Sequence, residues 1–278
     1  MNISVIIPSF NEENSIVACL ESLSHQTREF ELIVVDDGST DATLEKVKNA
    51  NYKPQPIILR NRHEGPAAAR NLGAQKASGE ILVFVDSDMT FDEKFLELLV
   101  SPIEAGSTLG TFSKEEYVAN WNNVWARCWN YNQGIKNSRR IPENYPDTAP
   151  VFRAIKADEF RKVKGFTSGV GWTDDWSLSE KLGVQSTATK ALCYHENPGT
   201  LTEVFTQAKW IGKNEFISGV FLKSLINLLR YSFPVSLVVG LGQSIRLQLP
   251  AFVLFKIVYD LGIVIGIIEV LFGNHRNK

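Results

Sequence analysis

The apolar run Ile81-Leu82-Val83-Phe84-Val85 ends in Asp86-Ser87-Asp88, which places two carboxylates one residue apart at the end of a segment with no other polar group. A strand buried on both faces reads as continuous Ile, Leu and Val, and ligands in open α/β sheets collect just past the C-terminal ends of the strands. Alternate residues of an extended chain point the same way, so Asp86 and Asp88 are expected to face one hard divalent cation, Mg2+ or Mn2+, which in turn carries phosphates. The competing account is a simple turn, where Asp is common. A second acidic segment, Val34-Val35-Asp36-Asp37-Gly38-Ser39, ends an earlier apolar run in the same manner.

The elements that must position these groups alternate between strand and helix over the first ninety residues, which predicts a mostly parallel sheet covered by helices. Strands are expected at Ser4–Pro8, Glu31–Asp37, Ile57–Leu59 and the run ending at Asp86. Between them, Asn11 is expected to cap a helix from Glu12 to about Leu23, and a second helix passes through Leu44 and Val47. Pro66 opens a third over Ala67–Ala77, with Gly79 as its closing glycine. Thr90 and Glu93 have the spacing of a capping box, predicting a helix from Asp92 to about Val100. If the strands take the order 3-2-1-4, which right-handed crossovers permit, then Pro8, Ser9, Asp37, Asp86 and Asp88 converge on one crevice. That crevice suits a nucleotide: Asp37 accepts hydrogen bonds from base or ribose, the later pair holds a metal against a diphosphate, and Arg70 adds a cation.

Composition bounds what this crevice can serve. At 278 residues and 44% hydrophobic content the chain suits one large domain, or a domain with an appendage. Three widely spaced cysteines, Cys19, Cys128 and Cys193, support neither a disulfide framework nor a thiolate zinc site. Met1 leads into a strand-like segment, so no secretory signal is expected. A net charge of -2 argues against a nucleic-acid partner. The charge is uneven, however, with six basic and two acidic residues from Phe216 onward against 23 basic and 29 acidic before it. Ala251–Phe272 is a 22-residue apolar stretch broken only by Lys256, Asp260 and Glu269, and Ile217–Arg230 reads as an interfacial helix. A basic apolar tail suggests attachment to an anionic membrane, peripherally or through one C-terminal span, with Lys256 and Asp260 pairing at i, i+4. The alternative is a hydrophobic subdomain or oligomer interface. Trp121, Trp125 and Trp129 repeat every fourth residue, as a helical stripe does, serving either as a packing face or as a sugar platform.

Four blocks in order, Ser4-Val5-Ile6-Ile7-Pro8-Ser9-Phe10-Asn11-Glu12, Val34-Val35-Asp36-Asp37-Gly38-Ser39-Thr40-Asp41, Ala69-Arg70-Asn71-Leu72-Gly73 and Phe84-Val85-Asp86-Ser87-Asp88, resemble glycosyltransferase family 2. The resemblance covers roughly Met1–Glu196. It implies the A-type glycosyltransferase fold, a Rossmann-like sheet flanked by helices, here followed by C-terminal hydrophobic helices. It also implies a nucleotide-diphosphate-sugar donor, a divalent metal and inversion at the anomeric carbon. Residue by residue it gives Asp37 to the nucleobase, with Pro8, Ser9 and Glu12 lining the same pocket, Arg70 to the nucleotide, and Asp86, Ser87 and Asp88 to the donor's diphosphate and metal, Asp88 being the stronger ligand. Downstream, Trp172-Thr173-Asp174-Asp175-Trp176 resembles the segment whose second acid is the base, here Asp175. Trp172 and Asp174, with the loop from Gly165 to Thr173 and the tryptophan stripe, are assigned to the acceptor, although Asp174 also suits a helix cap. His195 is placed to complete the metal shell or to touch phosphate.

An acceptor hydroxyl must lose its proton as it attacks, so the chemistry independently requires a carboxylate such as Asp175. The expected organisation is a catalytic domain over 1–215, with a nucleotide-binding half over 1–100 and an acceptor half over 101–215, followed by a membrane-associated tail over 216–278. The expected activity is transfer of one sugar to a lipid-linked or glycan acceptor at the cytoplasmic face of a membrane. Two alternatives stand beside it: a catalytically inactive nucleotide-sugar-binding scaffold and, within the enzyme class, a polyprenyl-phosphate sugar synthase. No G-x-G-x-x-G follows the first strand, which excludes a nicotinamide dehydrogenase, and no Walker A sequence exists. Gln207-Ala208-Lys209-Trp210 lacks the arginine of the Q-x-x-R-W signature, so processive synthesis is not expected.

Overall fold

A strand whose side chains all meet helices has no need of polar residues, and β1 (Ile3–Ser9) and β4 (Ile81–Phe84) are buried along their whole length. In the computed structural model, which describes residues 1–49, 51–168, 175–214 and 221–272, these strands pair in parallel with each other. β2 (Glu31–Asp36) pairs in parallel with β1, and β3 (Ile57–Arg60) pairs in parallel with β2. The order β3-β2-β1-β4 is the expected one. Beyond β4 the sheet is antiparallel rather than parallel. It continues through β8 (Ala154–Lys156), β6 (Gly110–Val118), β9 (Ser186–His195) and β5 (Met89–Phe91), with β7 (Thr148–Ala149) also on β9. The result is a mixed α/β architecture with a central sheet.

The two-residue period of the strands divides the core. Val5, Ile7, Val83 and Val85 face α1 (Ile16–Ser24) and α4 (Phe95–Glu104), packing with Leu20, Leu23, Phe95 and Leu99. Ile6, Leu82 and Phe84 face α3 (Pro66–Lys76), α6 (Ala157–Lys162) and α7 (Ser177–Leu182), packing with Ala74, Phe160 and Leu178. Each fully buried Leu, Ile or Phe contributes about 1.5–3 kcal/mol relative to exposure. One short helix, α2 (Thr43–Asn49), links β2 to β3.

Local signals were overridden where tertiary partners competed. α1 starts at Ile16 instead of Glu12, because Asn11 has φ 56° and its Oδ1 accepts the Thr40 N–H at 2.8 Å instead of capping. Thr90 is not a helix cap: Met89–Phe91 pairs with Cys193–His195 in the sheet, and α4 begins only at Phe95. Gly79 does not close α3, which ends through Ala77. A Cβ on Gly79 would lie 2.6 Å from the Ser4 backbone nitrogen, and its own N–H donates to Ser4 Oγ at 2.8 Å. Gly79→Ala is therefore expected to destabilise the protein by about 1–3 kcal/mol, as overpacking does, checked as a lowered denaturation midpoint. An unchanged midpoint would show that β1 can yield there.

The chain divides into two compact units, residues 1–117 with 141–195, and residues 118–140 with 196–278. The break falls at Glu196 instead of Phe216, and an internal segment joins the second unit. That unit contains α5 (Val124–Asn132), α8 (Leu201–Asn214), α9 (Phe221–Arg230), α10 (Phe233–Leu247) and α11 (Ala251–Leu271). Its core is built on α11, whose Phe252, Phe255, Tyr259, Ile263 and Ile267 pack with Cys128, Trp129, Val204 and Ala208. α11 meets α8 at backbone distance, since a Cβ on Gly266 would lie 2.2 Å from Lys209 O. By length and composition α11 is long and apolar enough to cross a membrane. The tryptophan stripe is broken. α5 starts at Val124, capped by the Asn123 side chain, so Trp121 lies before it and packs edge-on against Tyr131, while Trp129 packs against Phe255 and Tyr259.

Candidate active site

β4 ends at Phe84, and the chain then turns, with the Met89 N–H donating to Asp86 O at 3.2 Å. Because Asp86-Ser87-Asp88 is a turn and not an extended strand, the two carboxylates do not point the same way. Asp86 faces two guanidinium groups: its Oδ1 accepts from Arg70 Nη2 at 2.8 Å and its Oδ2 from Arg153 Nη1 at 2.8 Å. Burial alone raises the Asp86 pKa, but Arg153 and Arg70, helped by His195, outweigh it and hold the carboxyl well below the usual carboxylate range. Both Asp86 oxygens thus accept from arginines, which places this acid between two cations of the protein. Ser87, between the two acids, is buried in the turn.

Asp88 faces the other way, toward β9, where its Oδ1 lies 3.0 Å from His195 Nε2. His195 Nδ1 lies 3.0 Å from Glu116 Oε1 on β6, and Glu116 Oε2 lies 3.7 Å from Arg153 Nη2. On the opposite side Arg70 Nη1 donates to Asp175 Oδ1 at 2.5 Å, just before α7. Arg70 is itself buried and sits 5.7 Å over the Phe166 ring. One continuous charged network therefore runs Asp175–Arg70–Asp86–Arg153–Glu116–His195–Asp88, gathered from six separate stretches of chain. Burial pulls the Arg153 pKa down, but Asp86 and Glu116 push it further up, so its charge is permanent.

Asp37 stands at the end of β2, almost fully buried. Its Oδ1 accepts from Asn61 Nδ2 at 2.8 Å and from the Glu64 N–H at 3.0 Å, and its Oδ2 from the Gly65 N–H at 2.8 Å. These bonds fix its orientation and leave acceptor capacity on Oδ2. Ser9, at the end of β1, accepts the Asp37 N–H at 2.8 Å through its carbonyl, while its buried hydroxyl has no partner among the described residues. Pro8 is buried within β1 opposite Val35. The Glu12 carboxylate accepts from Ser15 Oγ at 2.7 Å at the head of α1. Beneath the turn, Cys19 Sγ lies 3.7 Å from Asp86 O. Burial, followed by Asp88, Asp86 and Glu12, pushes the Cys19 thiol well up, which leaves it unreactive. Trp172, Asp174 and the loop through Thr173 lie outside the described residues.

The residues present fit a divalent cation at one place. Two ligands held at right angles about 2.1 Å from one ion are about 3.0 Å apart, and that is the spacing of Asp88 Oδ1 and His195 Nε2. Asp86, Asp88, Glu116 and Asp175 against Arg70 and Arg153 leave the network two positive charges short when His195 is neutral. No cluster of three His, Cys, Asp or Glu side chains with metal-holding geometry occurs among the described residues, so the protein offers two ligands and a substrate diphosphate would supply others. Sequence reading overlooked Arg153 and Glu116. The one available signal was an arginine inside the apolar segment Val151-Phe152-Arg153-Ala154-Ile155, where an unpaired charge would be costly.

Over 106 residues the chain is 39% identical to glycosyltransferase AglE of Haloferax volcanii, spanning 36% of this chain and 35% of that protein. The chain spans less than two thirds of the length of the curated relatives it matches. Among solved structures it is similar to the mannosyltransferase PcManGT of Pyrobaculum calidifontis in complex with GDP-Man and Mn2+, with a TM-score of 0.61, 17% identity and coverage of 99% of this chain and 88% of that one. It is likewise similar to residues 1–349 of S. aureus TarS in complex with UDP-GlcNAc, with a TM-score of 0.58, 18% identity and coverage of 99% and 93%. At those identities the likeness shows the fold, the A-type glycosyltransferase fold. The family model for glycosyl transferase family 2 matches residues 4–164, more than half of the chain. On its sequence blocks, its sheet order and this match, the chain belongs to glycosyl transferase family 2.

Proposed function

We propose that this protein is a metal-dependent, inverting glycosyltransferase that moves a sugar from a nucleotide-diphosphate-sugar donor to a lipid-linked or glycan acceptor at the cytoplasmic face of a membrane. The observation that carries this reading is the single charged network joining Asp88 and His195 at one end to Asp175 at the other. Donors named for the structural neighbours, UDP-GlcNAc and GDP-Man, are of the expected class.

Asp37 orients the base or ribose through its remaining lone pair, beside Pro8, Ser9 and Glu12. Asp88 and His195 would hold the cation, with Glu116 as a positioning residue that fixes the imidazole through Nδ1. When bound, the cation offsets charge growing on the departing diphosphate. An imidazole ligand suits Mn2+ better than Mg2+. Arg70 and Arg153 present guanidinium groups for the same anionic leaving group. Asp175 takes the proton of the acceptor hydroxyl, and to do so it must exchange Arg70 for the acceptor. An incoming diphosphate favours that exchange by offering Arg70 another anion. Attack opposite the leaving group then inverts the anomeric centre.

Calorimetry with a panel of nucleotide sugars and Mn2+ is expected to reveal one donor whose binding strengthens with metal. Asp88→Asn is expected to weaken that metal-dependent binding at least about tenfold, since even indirect ligand support is worth roughly that much. Donor binding without any turnover, across the panel and with lipid-phosphate and glycan acceptors alike, would favour the scaffold reading. Metal-independent binding unaffected by Asp88→Asn would remove the cation from the mechanism.

A further inference from the structure

α11 has the length of a membrane span but the position of a core helix. Its inner face is buried, and its Glu269 is held by Lys209 at 2.6 Å and Lys213 at 2.7 Å, both on α8. The outer side of α8 exposes Thr202, Glu203, Thr206 and Gln207. To thread α11 through hydrocarbon would carry these polar groups in with it, at several kcal/mol for each charged group near the bilayer centre. The other side of this layer is different. Val238 is 71% exposed and Ile245 79% on α10, Leu254, Leu261 and Ile268 recur on α11 at seven-residue spacing, and Phe272 is 85% exposed. Contiguous exposed apolar surface of this kind marks an interaction site.

Charge identifies the occupant. Among the described residues from Ile226 to Phe272 there are two acids, and neither faces outward. Asp260 is buried, accepting from Ser236 Oγ at 2.7 Å and Lys256 Nζ at 2.7 Å, and Glu269 is paired with α8. The exposed charges are Arg230 and Arg246, the latter beside Ile245. An apolar face rimmed only by arginine repels a second copy of itself and attracts anionic headgroups. We propose that the outer face of α10 and α11 seats in a single leaflet of an anionic membrane, with Arg230 and Arg246 at headgroup level, so that the protein is monotopic and α11 does not span. This deepens the membrane part of the reading above and does not depend on the donor or the metal.

The test uses the full chain with vesicles of phosphatidylcholine alone or with about one third phosphatidylglycerol. The expected result is co-sedimentation that favours the anionic vesicles, weakened at least tenfold by Val238→Asp with Ile245→Asp. Arg230→Gln with Arg246→Gln should remove the preference for anionic lipid. Both pairs lie on exposed positions, and unchanged circular dichroism confirms their folding; should the aspartate pair misfold, Val238→Ser with Ile245→Ser carries the same expectation. With Pro250→Cys and Phe272→Cys introduced, a membrane-impermeant maleimide added outside sealed vesicles is expected to label both positions, because a monotopic seat leaves the two ends of α11 on one side of the bilayer. Labelling of one end alone would show a span and overturn the proposal. So would light scattering that shows a dimer split by Val238→Asp with no vesicle binding. Donor calorimetry reads independently of all these results, so failure here and failure of the glycosyltransferase reading are told apart.

Discussion

Asp175→Asn is expected to lower kcat about a hundred- to ten-thousand-fold while leaving donor affinity within about threefold, because a positioned base contributes roughly that factor to proton removal and nothing to donor binding. The structure makes this a sharp test. Among the described residues Asp175 meets the network through Arg70, and Arg70 has a second bond, to Asp86, that does not involve Asp175. The donor pocket therefore stays assembled, and the deficit should appear in turnover and not in binding. Single-turnover rates with saturating donor measure it. A variant that retains activity within fivefold would show that another group accepts the proton. A variant with weakened donor binding would show that Asp175 chiefly orients Arg70.

The second large effect is on stability. Arg153→Met should cost about 2–4 kcal/mol: removing one partner of a buried pair costs roughly 3–5, and here Asp86 is partly exposed and keeps its bond to Arg70. Here Arg153 neutralises two acids, Asp86 at 2.8 Å and Glu116 at 3.7 Å. At about 2–4 °C per kcal/mol for a unit of this size, the melting temperature should fall by roughly 4–16 °C. Asp86→Asn in the same chain should return part of the loss, because the orphaned charge is removed with it.

The pH dependence follows from the depressed Asp86 pKa. A carboxyl lower in the folded than in the unfolded state binds fewer protons when folded. Its stabilisation is thus fully present above the unfolded value of about 3.9 and is lost as pH falls below it toward the folded value. In Arg153→Met that shift shrinks, so melting temperature should drop less steeply with acid below about pH 4 than in the wild type. An identical acid slope would mean that Arg70 alone sets the charge state of Asp86.

Much of the donor edge was legible before any coordinates. β1, β2 and β4 are runs too apolar to be anything but strands covered on both faces, and the observed order β3-β2-β1-β4 is one that right-handed crossovers permit. Asp37 and Asp88 could be named because each follows an apolar strand run, and Asp175 because its segment resembles the one that carries the family's base. The failures share one cause. Thr90 and Asn11 carry good local cap chemistry, but each found a distant partner, a neighbouring strand for Thr90 and the backbone at Thr40 for Asn11. The tryptophan repeat has helical spacing, but Asn123 caps the helix after Trp121.

The amino-acid sequence by itself determined the sheet's parallel half, the family and the acids that end its strands, because apolar periodicity and strand-terminal chemistry are local properties. Only the tertiary structure decided which way those acids face. The turn after β4 sends Asp86 to two arginines and Asp88 to His195, and Arg153 and Glu116 joined the network because β8 and β6 come to lie beyond β4 in the sheet. It likewise decided that α11 is the core of the second unit, since whether an apolar helix meets protein or lipid depends on what packs against it, and Glu269 pairing with α8 is a contact between residues more than fifty positions apart.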